Sequence, residues 1–272
     1  MIDSDIIMKV NIKNESVNVA KFFDNKLFIS FVGDDKINIH HQNSELVKSI
    51  QFGSPVMDFI IEEQNIYALR KHNSQSHIII TKKTFNGEFI EEFSLHLEDK
   101  LNRVKLISNN LILLSTNTSI SLTNFIKAQP QITFPLDSLI VLSEIEYNFL
   151  ENNLICVVSK YNSVFLLTAS SIKQELIPIN HLLGDTFSIY SKIYFLDNRM
   201  YLDNPTIEQS RDGDLTTKIV GSNLFRINIE NMTLVEILKS GKQLNILGLG
   251  TNNIILSENG NIIVAKFLDS YK

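Results

Sequence analysis

The sequence predicts an all-β fold built from repeats of about 45 residues, and three observations carry that reading. A turn-forming asparagine followed by an apolar run recurs at Asn25, Asn65, Asn110, Asn153, Asn198 and Asn253, at intervals of 40, 45, 43, 45 and 55 residues. Apolar residues alternate with polar ones over strand-length stretches such as VNVAKF and KINIH, the period of a half-buried strand. Capped stretches with helical period are hard to find. Spacings of 40 to 50 residues are those of propeller blades.

Each element follows from residue chemistry. Asparagine and aspartate tolerate the positive φ that a two-residue hairpin turn demands. Asp24-Asn25, Asn109-Asn110, Asn152-Asn153, Asp197-Asn198 and Asn252-Asn253 are therefore expected as tight turns. A first strand precedes each turn and a second follows it. Third strands are DKINIHH, HIIITKKT, SISLTNF, SVFLLTA, LFRINIE and NIIVAKFL, and fourth strands are ELVKSIQF, EFIEEFSL, QITFPL, QELIPI and TLVEIL. The sixth repeat has no fourth strand of its own, while the chain opens with an unassigned strand, IIMKVNIK at 6–13. The expectation is one domain over 1–272, a six-bladed β-propeller closed by the N-terminal strand. Seven blades would result if the long fifth repeat hides extra strands, and a pair of β-sandwiches is the alternative all-β fold.

In blade length, strand order and closure the chain resembles the WD40-type β-propellers, over nearly its whole length. It departs from them in having no Trp-Asp dipeptide, since there is no tryptophan, and no Gly-His pair opening a blade. The resemblance implies a platform on which other proteins assemble.

Composition narrows the function classes. Twenty-five basic and thirty acidic residues give a net charge of −5, which argues against direct nucleic-acid binding. One cysteine, Cys156, excludes an intrachain disulfide framework and a cysteine-rich zinc module. The N-terminus is acidic and lacks the apolar core of a signal peptide, and no apolar run is long enough to span a membrane. Localisation is therefore expected to be intracellular, in the cytoplasm or nucleus.

Catalytic and metal-binding patterns are absent from the sequence, so no catalytic residue, metal ligand or cofactor is assigned. His40, His41, His72, His77, His96 and His181 form no H-E-x-x-H or Cys/His cluster. There is no G-x-S-x-G elbow, and Cys156 sits within the apolar LICVV. The Gly248 and Gly250 of LGLG lack the third glycine of a dinucleotide fingerprint. Asp212-Gly213-Asp214 lacks the ligand series of a calcium loop.

Two candidate binding regions remain. The fifth repeat carries a polar loop insertion at 204–222, with Glu208, Arg211, Asp212, Asp214 and Lys218 as candidate partner-binding residues. Arg70, Lys71, Lys82 and Lys83 would form a small basic patch on the rim of the second blade. The leading reading is a non-catalytic scaffold or accessory subunit in a multiprotein complex. One version is the WD-repeat partner of a tRNA-modifying methyltransferase. An enzyme with a central-channel site would draw on Asp58, Arg103, Glu144, Glu146 and Lys192. A reader of modified peptides would draw on Phe23, Phe59, Tyr147, Phe149, Tyr190 and Tyr194.

Overall fold

The computed structural model describes residues 6–13, 15–71, 76–116, 118–135, 144–150, 153–160, 163–169, 174–178, 192–196, 199–209, 217–228, 233–240, 245–250 and 252–266. The described residues are almost entirely strand and turn. The chain divides into two compact units, one of residues 7–142 and one of residues 1–6 with 143–272.

In the first unit, β1 (Ile6–Asn11) leads into three antiparallel four-stranded sheets. Blade 1 is β2 (Val17–Phe23), β3 (Lys26–Phe31), β4 (Lys36–His41) and β5 (Leu46–Gln51). Blade 2 is β6 (Val56–Glu62), β7 (Asn65–Lys71), β8 (His77–Thr84) and β9 (Phe89–His96). Blade 3 is β10 (Arg103–Leu106), β11 (Leu111–Ser115), β12 (Ser119–Asn124) and β13 (Gln129–Pro135). First strands lie beside first strands, β2 by β6 and β6 by β10. That is a β-propeller arrangement.

The second unit repeats the plan. Blade 4 is β14 (Glu144–Leu150), β15 (Asn153–Lys160), β16 (Ser163–Ala169) and β17 (Gln174–Pro178). Blade 5 is β18 (Lys192–Leu196), β19 (Arg199–Gln209), β20 (Thr217–Asn228) and β21 (Thr233–Ser240). After it, β22 (Asn245–Gly250), β23 (Asn253–Glu258) and β24 (Asn261–Lys266) pair in order. Five blades thus draw all four strands from consecutive sequence, where six or seven were expected. The last repeat contributes only three strands of its own, and β1 belongs to none of the five.

Turn chemistry explains the hairpins, with corrections. Asp24 and Asn25 both take positive φ (47° and 55°), the two-residue turn expected of them. In blade 2 the turn falls on Glu63 and Gln64 (48° and 67°) and Asn65 starts the next strand, opposite Glu62. Asn109-Asn110 is not a two-residue turn: four residues separate β10 from β11, and Ile107 N–H donates to the Leu111 carbonyl at 3.0 Å. Asn152, Asp197 and Asn198 lie outside the described residues.

Burial follows strand position. Second strands are covered on both faces: Leu27, Phe28, Ile29 and Ser30 of β3 are fully buried. The fourth strands of the first unit each show one buried side chain, Ile50 in β5, Leu95 in β9 and Phe134 in β13. Between blades 1 and 2 the core is built on Phe28, Ile37, Phe59 and Ile66. Between blades 2 and 3 it is built on Leu69, Ile80, Ile112 and Phe125. In the second unit Tyr201, Leu224, Leu256 and Ile263 form the equivalent cluster. Each such side chain contributes about 1.5–3 kcal/mol on burial.

Candidate functional site

Of the candidate basic rim residues, Arg70 turns inward. Arg70 is buried in β7 and acts as a clamp. Its Nη1 donates to the Phe52 carbonyl at 2.6 Å and to Ser54 Oγ at 3.1 Å. Its Nε and Nη2 donate to Thr81 Oγ1 at 3.0 and 2.6 Å, and Nη2 meets Glu92 Oε2 at 2.6 Å. The guanidinium is thus paired and holds the 52–54 turn joining blade 1 to blade 2. Gly53 takes φ +82° within that turn, a conformation that favours glycine.

The lysines diverge because adjacent strand residues face opposite ways. Lys82 stands between Tyr67 and Glu91 in register, with its ammonium 5.1 Å from the Tyr67 ring centroid. A hydrogen bond to Tyr67, opposed by some burial and helped by Glu91 and Glu63, holds that ammonium above its ordinary pKa. Lys83 points the other way, donating to the Gln51 carbonyl at 2.6 Å and lying 5.3 Å from the centre of Phe52. Lys71 ends β7, opposite Ile78.

The fifth-repeat insertion is shorter as a loop than the sequence suggested. Residues 204–209 and 217–222 extend β19 and β20, and Glu208 stands opposite Lys218 in register. A β-hairpin with strong local pairing accommodates the polar sequence without a long irregular loop. Arg211, Asp212 and Asp214 lie outside the described residues.

First-strand polar groups fasten one strand to its neighbour. Asn18 Nδ2 donates to the Val56 and Met57 carbonyls at 2.8 and 2.9 Å. Asp58 accepts from its neighbour Phe59 N–H at 2.8 Å and from Leu106 N–H of blade 3 at 2.9 Å. In the second unit Lys192 Nζ donates to Asn245 Oδ1 at 3.2 Å, and Tyr194 Oη donates to the Ile246 carbonyl at 2.7 Å. Asp58 and Lys192 are therefore engaged in the scaffold. Arg103 is exposed at the start of β10, and Glu144 and Glu146 lie in β14. Of the aromatics, Phe59 is core, Phe23 sits at a turn and packs edge-on against Phe85 at 6.2 Å, and Tyr147 and Phe149 lie in β14. Tyr190 lies outside the described residues.

The outer strands of the first unit hold a feature that the sequence did not announce. Each carries a β-bulge at the same place, two paired positions past the turn. Lys48 faces Ile39 and Leu46 faces His40, leaving Val47 as the extra residue. Glu91 faces Lys82 and Phe89 faces Lys83, leaving Ile90. Ile132 faces Leu122 and Pro130 faces Thr123, leaving Gln131. A bulge turns neighbouring side chains away from strict alternation, and here it presents apolar pairs outward. Leu46 and Val47 are 55% and 53% exposed, and Phe89 and Ile90 are 63% and 42% exposed. The β8–β9 turn seats on β5, with Lys48 Nζ donating to the Asn86 carbonyl at 2.6 Å and Phe85 packed 5.2 Å from Phe28. The β8–β9 turn therefore packs beside β5, while Leu46 stands opposite His40 and Phe89 opposite Lys83. Glu45 and Glu88, next to the two pairs in sequence, are exposed, and Glu91 stands opposite Lys82. No periodicity shows this, because a bulge depends on pairing between strands.

No family model matches the chain, and no curated protein matches it in sequence. Solved structures do resemble it. The likeness is one of fold. A putative exported protein from Bacteroides fragilis is similar over 96% of this chain and 94% of its own, with a TM-score of 0.56 and 8% identity. A protein of unknown function from Bacteroides caccae is similar over 84% of this chain and 83% of its own, with a TM-score of 0.57 and 13% identity. A computationally designed protein, Ika8, aligns over 97% of this chain and 100% of its own at a TM-score of 0.50 and 9% identity. Among the described residues no helix is long and apolar enough to cross a membrane.

Proposed function

We propose that the chain is a non-catalytic propeller scaffold that binds a partner protein through the outer strands of its first unit. The observation that carries this reading is the repeated bulge, which exposes Leu46-Val47 on the outer strand of blade 1 and Phe89-Ile90 on the outer strand of blade 2. Exposed apolar pairs with charged residues beside them are what a protein-binding surface needs. The exposed Glu45 and Glu88 beside the apolar pairs favour a partner that brings a basic residue next to its apolar contact. The accessory-subunit reading stays within this proposal. Its tRNA-methyltransferase version rested on WD40 kinship and on the basic patch, and the patch loses Arg70 to an internal ion pair.

The same proposal takes 1–272 as one functional domain in an intracellular compartment, with the N-terminal strand completing the propeller. The alternating burial of β1, where Met8 and Val10 are buried, supports such a role for it. So does the shortage of one strand in the last repeat. Deleting residues 1–13 is then expected to abolish cooperative thermal unfolding, and an unchanged melt contradicts that part.

The binding surface is tested by affinity capture from the native cell with mass spectrometry, run in parallel on the wild type and on F89S/I90S and L46S/V47S. A stoichiometric companion present with the wild type and lost with both variants supports the surface. The same companion retained by both variants places binding elsewhere.

A further inference from the structure

Among the described residues no group of three or more His, Cys, Asp and Glu side chains is placed to hold a metal ion. Blade 2 has a pair. His77, at the start of β8, stands directly opposite His96, at the end of β9. Leu97 N–H donates to the Ser76 carbonyl at 2.8 Å, so 76–97 is a hydrogen-bonded pair. The next pair along, 77–96, is then of the kind in which side chains approach most closely. The two imidazoles stack with centroids 4.2 Å apart and planes within 10°. Ser94, on the same face, shares a hydrogen bond with His77 Nε2. β9 is the outermost strand of its sheet, and both Ser94 and His96 are exposed there.

We propose that His77 and His96 form a two-imidazole chelate for a divalent transition metal of the copper, nickel and zinc class. Imidazole nitrogen is a ligand these ions share. A metal binds in the ring plane, so the two rings would turn out of the stack to reach one ion, which their directly opposed positions at the end of the strand pair allow. The Ser94 hydroxyl would orient the His77 ring, as outer-sphere hydrogen bonds do at metal-bound histidines. Magnesium and calcium are disfavoured because they need several oxygen ligands. Glu92, the carboxylate further along this face, is committed to Arg70. Two protein ligands leave the remaining positions to water. The bound ion would staple β8 to β9 at the rim.

The test is calorimetric titration of the full chain with Ni2+, and separately with Mg2+, using wild type, H77N, H96N, H77N/H96N and H41N. The expected result is one Ni2+ per chain, affinity lower by at least about tenfold in each single variant, and no change in H41N. Mg2+ should not bind measurably. Electron paramagnetic resonance of the Cu2+-loaded wild type provides a readout that needs no variant, and two equatorial nitrogens are expected. The proposal is overturned by absence of saturable Ni2+ binding to the wild type or by binding that survives in H77N/H96N. Fewer than two equatorial nitrogens on Cu2+ would also overturn it.

Discussion

Strands β3 and β9 contain similar apolar residues, yet their side chains meet opposite surroundings. Phe28 and Ile29 of β3 are fully buried, while Phe89 and Ile90 of β9 face solvent. The difference is place within the blade. A second strand is covered by the sheets on either side, whereas a fourth strand has one hydrogen-bonded neighbour and a free edge. Apolar content alone therefore does not mark the core in this architecture. The bulge in β9 sharpens the contrast, because it presents Phe89 and Ile90 outward together. Glutamates along the same strand keep that edge from pairing indiscriminately with other strands.

The largest expected effect tests that contrast through stability. Phe28→Ala should cost about 3–5 kcal/mol in urea unfolding, while Phe89→Ala should stay within about 0.5 kcal/mol of the wild type. Comparable losses at the two positions would show that β9 is covered in solution. Next comes the clamp between blades 1 and 2. Arg70→Ala removes charged hydrogen bonds to Phe52, Ser54, Thr81 and Glu92 and should cost about 2–3 kcal/mol. Lys82→Ala, on a partly exposed cation, should cost well under about 1 kcal/mol. If Arg70→Ala is equally mild, the residue belongs to the rim after all.

Asn18→Ala is expected to cost about 1 kcal/mol, because Asn18 ties β2 to the backbone of β6 through two hydrogen bonds. The smallest effect depends on pH. Burial lowers the pKa of His40, against the opposing pull of the Ser44 carbonyl. The folded state then holds fewer protons on this residue than the unfolded state does. Stability from this source is full above the ordinary histidine value of about 6.5. It falls as pH drops below that value toward the lowered one. Melting temperatures from pH 8 to pH 5 should therefore decline less in His40→Gln than in the wild type, and an equal decline removes His40 as the cause.

Much of the fold was legible because its signals are local. Asp24-Asn25 takes the positive φ that its chemistry allows, and Ile37 and Ile39 alternate into the core as KINIHH suggested. The first four intervals between turn asparagines set the blade spacing. What the sequence hid depends on partners far along the chain. Arg70 looked like a surface cation because Phe52, Thr81 and Glu92 come to it only when three strands and an interblade turn are in place. His77 and His96 are nineteen residues apart in the sequence and face each other only through the β8–β9 register. The apolar surface was hidden for the same reason: EFIEEF reads as an ordinary fourth strand until the bulge is placed. The polar stretch at 204–222 looked like a loop because its residues are hydrophilic, although 204–209 and 217–222 continue a paired hairpin.

The central claim is that the outer strands of blades 1 and 2 receive a partner. It is tested most directly by amide hydrogen exchange on the protein, alone and in complex with the companion that the wild type captures. New protection is expected in 46–51 and 89–96, with little change in 26–31 and 199–209. Protection confined to the 199–228 hairpin, with 46–51 and 89–96 unchanged, would contradict it.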